Sequence, residues 1–235
     1  MKLKRFKQEK MHCAIASAAT IANYYNPLVD YNVTKDIAYS VFGITGKGKK
    51  KYDGLTSGQI GVLFNNLGFN NVDIVSSDLD LVRYNWTGYS PKKMGKKLLN
   101  KADQDIDYYY DILTMGEFLL TKGRRNSLTI DYCFGDIIRN SLKKEIPIII
   151  TFNWTMFFRH TPKDVSWESH AVALEGCDAK GVKIVDSHFY RYKGRLKKYA
   201  SGKYGMSWEN LMTVMGTGDV IIPSNYVGLQ DYELV

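Results

Sequence analysis

The run from Cys13 to Tyr25 carries small or apolar side chains at most positions and contains neither Gly nor Pro. That composition favours helix, and small residues on nearly every face let neighbours approach the backbone, so the pattern predicts a central, buried helix that Pro27 ends. A second helix is expected from Thr34. A third is expected from Thr56, where Thr56 and Gln59 have capping-box spacing and Gly68 follows the last apolar turn. From Asp136 a helix to about Lys144 leads into Ile146 to Phe152, a short β-branched run typical of a buried strand. His170 to Glu175 and Val182 to Asp186 flank a loop with turn chemistry, Gly176 to Gly181, which predicts an antiparallel hairpin. Ser207-Trp208 opens a late helix and Asp219 to Pro223 reads as a last strand.

Between Arg83 and Arg125 the chain is polar and rich in Lys and Tyr. Ser90-Pro91 is expected to open one helix there, and Thr114 to Glu117 to cap another. The resulting organisation is a single α+β domain: a helical lobe at 1–82 with Cys13, a decorating helical insertion at 83–125, and a β-rich lobe at 126–235.

Composition narrows the class without changing this outline. Of 235 residues, 45% are hydrophobic and 24% charged, the balance of an ordinary globular protein. No stretch approaches the roughly 20 apolar residues that span a bilayer. The basic start Met1 to Phe6 lacks the apolar stretch and cleavage site of a signal peptide. Three widely separated cysteines, Cys13, Cys133 and Cys177, do not make a disulfide framework, and a reducing cytoplasm is expected. The net charge of +8 would suit an acidic partner, but the basic residues form several short clusters, so nucleic-acid binding gains no support.

Candidate chemistry begins with Cys13, which stands in the first turn of its helix. Unpaired backbone N–H groups and the positive end of the helix dipole favour the thiolate there. A small buried hydrophobe is the alternative role for a free cysteine, so a partner is required. His170 opens one strand of the expected hairpin and Asp186 closes the other, which brings them to the same end. The carboxylate would fix the imidazole tautomer and leave the other ring nitrogen to a thiol. His12 adjoins Cys13 on the helix and points away from it, His160 lies in a loop, and His188 shares the face of Asp186 as a supporting residue. No Cys-x2-Cys or His-x3-His spacing suggests zinc, and no cofactor is implied.

In this order the segments resemble the papain-like cysteine peptidases, in the branch of the leader peptidases of bacteriocin exporters and their stand-alone relatives. The resemblance rests on Gln8 ahead of Cys13 to Ser17, Gly54 to Ile60, Lys144 to Ile150, Ser169 to Ala173, Val185 to Ser187, and Ser207 to Leu211. It implies a helical lobe carrying the cysteine and a twisted antiparallel sheet carrying His170 and Asp186. It further implies that Gln8 completes an oxyanion hole with the Cys13 amide. Here Gln8 stands five positions before Cys13, where the family pattern has six, and Ala14 replaces the usual following glycine. The implied activity is cleavage of a peptide or isopeptide bond in a peptide or protein substrate. Acyl transfer to an amine and a non-catalytic binding module on the same fold remain alternatives.

Overall fold

A computed structural model describes residues 1–9, 11–43, 54–77, 89–102, 109–153, 169–188, 201–216 and 218–229. Helix α1, Cys13–Tyr25, is buried from Ala14 through Asn23, as its small residues require. Helix α2, Tyr31–Phe42, starts earlier than Thr34 because Asp30 is the N-cap, its carboxylate accepting from Val33 N at 3.0 Å. Helix α3, Ser57–Asn66, has the expected capping box: Thr56 and Gln59 each accept the other's backbone N–H.

One seven-stranded sheet has the order β2-β1-β7-β3-β4-β5-β6. Its members are β1 (Phe69–Ser76), β2 (Arg125–Ile130), β3 (Ile148–Asn153), β4 (Ser169–Cys177), β5 (Gly181–Val185), β6 (Lys203–Ser207) and β7 (Asp219–Tyr226). Among the described residues all pairings are antiparallel except β1 with β2. The expected hairpin is β4–β5, with an irregularity between Leu174 and Gly176. Pro223 lies in β7 beyond Ile221, where pairing with β3 has ended, so its missing N–H costs no bond on that side.

The β1–β2 edge departs from the sequence reading. Residues 1–82 are not wholly helical, because β1 lies within them, and two asparagines, Asn70 and Asn71, interrupt its apolar pattern. The described parts of 83–125 form helices α4 (Pro91–Ala102) and α5 (Tyr109–Leu120), which connect the parallel strands β1 and β2. Parallel neighbours need such a crossover. Thr114 to Glu117 is inside α5 rather than a cap, and the Thr114 hydroxyl instead hydrogen bonds the Thr56 hydroxyl at 2.6 Å. Two glycines of α3 admit α5. A Cβ on Gly58 would come within 2.5 Å of the Thr114 backbone, and one on Gly61 within 2.5 Å of the Phe118 ring.

The sheet has a core on each face. Ile149, Ala171, Ala173, Val185 and Ile221 join α1, α3, α4 and α5 in one. Ile148, Ile150, Val172, Leu174 and Ile184 join helices α6 (Phe134–Lys143) and α7 (Trp208–Val214) in the other. Covering on both faces explains why β3 is apolar at consecutive positions rather than alternate ones. Ala171 and Ala173 put small side chains beneath α1, and the Ser17 hydroxyl donates to Ala171 O at 3.0 Å. A helical layer bearing Cys13 thus lies on a largely antiparallel sheet bearing His170. No described helix is long and apolar enough to cross a membrane.

Candidate active site

Cys13 is the first residue of α1, and its N-cap, His12, makes no side-chain capping bond. The N-terminal amides therefore stay available to an anion. Partly accessible, Cys13 receives backbone hydrogen bonds from Ala14 and Ala171 and a side-chain hydrogen bond from His170. Ala171 N–H is available at this place because β4 passes directly beneath the start of α1.

His170 pairs with Phe152 across the sheet, and its ring meets the Phe152 ring edge-on, with centroids 5.7 Å apart. Its Nε2 lies 3.0 Å from Asp186 Oδ1, which leaves Nδ1 as the nitrogen for Cys13. Asp186 follows β5 directly and is fully buried. Its Oδ1 also accepts from His188 N at 2.9 Å, and its Oδ2 from the Tyr204 hydroxyl at 2.9 Å.

The electrostatics favour separated charges. Burial opposes the imidazolium of His170, but the Asp186 carboxylate and the bond to Cys13 outweigh it and raise the pKa to about 9. Burial likewise opposes the Cys13 thiolate, yet the His170 hydrogen bond, the His170 charge and two backbone amides lower its pKa. Asp186 follows the same logic: burial would raise it, and His170, His188 N–H and Tyr204 hold it below the ordinary carboxylate range. Both shifts favour a thiolate–imidazolium pair over a neutral thiol and imidazole.

The backbone around Asp186 is held by Arg5. Its guanidinium donates to Asp186 O at 2.6 Å, His188 O at 2.7 Å and Ser201 O at 2.9 Å. Gly202, at φ 68°, must be glycine for this contact, since a Cβ there would lie 2.0 Å from Arg5 Nε. Sequence reasoning missed Arg5, Ser187, Tyr204 and Gly202. A positive φ at Gly202 is a signal in kind, but nothing local announces the partners of the others.

Gln8, implied by resemblance alone, lies beside the segment that follows Asp186. Its N–H donates to Ser187 O at 3.1 Å, and its Oε1 accepts from the Ser187 hydroxyl at 2.8 Å. The connection from Gln8 to Cys13 turns through Met11 at φ 63°, with His12 N bonded to Glu9 O at 3.2 Å. A left-handed methionine costs about 1 kcal/mol, a strain consistent with a shortened connection.

His12 is buried between α1 and α2, where its Nδ1 meets the Tyr31 hydroxyl at 2.7 Å and its Nε2 the Tyr39 hydroxyl at 3.2 Å. Both ring nitrogens are engaged away from the thiol. The His188 ring stands edge-on to His170, with centroids 5.9 Å apart, and burial first, then the His170 charge, lowers its pKa to about 4. His160 and the Trp154 to Trp167 loop lie outside the described residues. Among the described residues no group of three or more His, Cys, Asp or Glu could hold a metal ion.

No protein-family model matches the chain, and no curated protein does. Two similar solved structures are the peptidase domain of Streptococcus ComA, a bifunctional ABC transporter involved in quorum sensing, and a Bacillus anthracis protein described as C39-like. The first is 13% identical, with a TM-score of 0.44 over 95% of this chain and 98% of that one. The second is 13% identical, with a TM-score of 0.45 over 97% of this chain and all of that one. The likeness is distant.

Proposed function

We propose that this protein is a cysteine hydrolase that cleaves a peptide or isopeptide bond, with Cys13 as nucleophile, His170 as acid and base, and Asp186 as the group that orients His170. The observation that carries this reading is the chain of contacts from the Cys13 thiol through both nitrogens of one buried imidazole to a buried carboxylate. A structural cysteine has no use for a charged partner of that kind.

In the reaction, the Cys13 thiolate attacks the carbonyl carbon, the S–C bond forms and the C=O pair moves onto oxygen. Collapse of this oxyanion breaks the C–N bond, and His170 gives its Nδ1 proton to the departing amine. Neutral His170 then takes a proton from water as it attacks the thioester, which releases the acid and restores the ion pair. The Cys13 amide and the Gln8 side chain are the proposed oxyanion donors, a role worth about 3 kcal/mol per donor in other hydrolases.

The test is alkylation with iodoacetamide at pH 6 followed by peptide mapping, with Cys133 as internal reference because Asp131 pushes its pKa up. Cys13 is expected to label at least tenfold faster. Equal labelling of the two would remove the nucleophile. Product analysis of a cleaved peptide with an added amine separates hydrolysis from acyl transfer.

A further inference from the structure

Gln8 is held by one residue at two points. Ser187 accepts from the Gln8 backbone N–H at 3.1 Å, and its hydroxyl donates to the Gln8 side-chain oxygen at 2.8 Å. Ser187 is itself buried, 2% exposed, and stands between Asp186 and His188. Its place is fixed from both sides by the Arg5 guanidinium, which takes the carbonyls of those two neighbours.

An amide presents two unlike ends. An oxyanion needs the NH2, and a carboxamide rotated by half a turn would offer it a repelling oxygen instead. A hydroxyl that spends its proton on Oε1 selects one of these two orientations. The NH2 then remains, with no hydrogen bond to another described residue.

Resting on the hydrolase reading above, we infer that Ser187 is a positioning residue that sets the rotamer of the Gln8 amide so that its NH2 serves the oxyanion. It does so from the residue adjoining Asp186, so one tripeptide orients both the base and the oxyanion donor. This arrangement also accounts for the short spacing between Gln8 and Cys13. The glutamine is registered against the β5 exit rather than against α1, and Met11 absorbs the difference in its left-handed turn.

Two reagents separate this role from a merely structural one. p-Nitrophenyl acetate acylates a thiolate through a tetrahedral oxyanion: the S–C bond forms, and the C–O bond then breaks to expel p-nitrophenolate. Iodoacetamide alkylates the same thiolate by displacement of iodide, with no oxyanion. For Ser187→Ala, acylation of Cys13 is expected to fall about 5- to 50-fold, below the 10²- to 10³-fold loss of a whole donor, with alkylation within about twofold of wild type. Ser187→Thr should restore most of the acylation rate. Ser187→Ala added to Gln8→Ala should lower it no further, because the amide being oriented is already gone.

An unchanged acylation-to-alkylation ratio in Ser187→Ala would overturn the inference, as would an equal fall in both rates, which is the mark of a disturbed fold. Either outcome leaves the hydrolase reading intact, provided wild-type Cys13 reacts with both reagents. A wild-type Cys13 that neither acylates nor alkylates preferentially overturns both.

Discussion

The two ends of the sheet are held in opposite ways. At the β5–β6 end, polar groups brought from distant parts of the chain converge on Asp186, which accepts from His170, His188 and Tyr204 while Arg5 takes its carbonyl. At the β2–β1 end, α5 packs on α3 and α4 packs on α5 through glycines, with apolar side chains such as Leu98, Met115 and Phe118 filling the core. The nearest polar analogue there is the buried Asn65–Asn126 pair, whose amide of Asn126 also donates to Phe118 O at 2.7 Å. All of those groups are neutral. A buried neutral pair adds specificity at modest cost, whereas a buried carboxylate is tolerated only with several donors aimed at it. One end of the sheet is organised to keep charge in place, and the other to fill space.

Substitutions at the two ends should therefore fail differently. The largest effect is expected for His170→Ala. It should slow Cys13 alkylation at pH 6 by about 100-fold, because the paired cation is lost and the thiol returns toward an ordinary value near 8.5. Stability should fall as well, because the fully buried Asp186 loses its main partner, so the rate is read on the folded fraction. If alkylation survives, the ion pair is not what activates Cys13.

Next comes the opposite end. Gly58→Val should destabilise by about 1–3 kcal/mol through overpacking against the Thr114 backbone, measured by denaturant unfolding. Cys13 in the fraction that stays folded should alkylate at the wild-type rate. A selective loss of reactivity in this variant would erase the distinction between the two ends.

Arg5→Ala sits between these cases. Removing a charged donor from three carbonyls is expected to cost about 1.5–3 kcal/mol of stability and to slow Cys13 alkylation several-fold, since Asp186 loses its backbone anchor. Arg5→Lys should recover little, because a point charge cannot supply the fork.

The smallest effect concerns pH. His170 is raised to about 9, so its contribution to stability is complete below the unfolded value near 6.5 and is lost as pH rises through about 9. Asp186 is lowered, so its contribution is present above the unfolded value near 3.9 and is lost as pH falls below it. Chemical unfolding across pH 3 to 10 should show both limbs, and Tyr204→Phe should shrink the acid limb by weakening one of the bonds that hold Asp186 ionised. Identical pH curves for wild type and His170→Ala would break this assignment.

Much of the placement of the candidate residues was legible because their elements are local. A helix-initial Cys13, a capping box at Thr56 and Gln59, and a hairpin between His170 and Asp186 each follow from residues within a few turns of one another. The β1–β2 edge was not legible: β1 is broken by asparagines, and β2 has its partner only after a crossover whose described part is helical. The described part of 83–125 is helical and packs on α3 of the helical lobe through Thr114 and Phe118, with apolar side chains such as Leu98 and Met115 in the shared core.

What the sequence determined by itself was chemistry that short-range geometry can carry: which thiol stands at a helix start, which imidazole and carboxylate close one hairpin. Only the tertiary structure decided what surrounds them. Arg5 reaches Asp186 across 181 residues of chain, and Ser187 reaches Gln8 across 179. Such pairs leave no periodicity or spacing to read, because an arginine or a serine is compatible with almost any local structure. They acquire their roles when the sheet brings β5, β6 and the N-terminal segment together. Burial then makes each remaining hydrogen bond to Asp186 worth more than it would be in water.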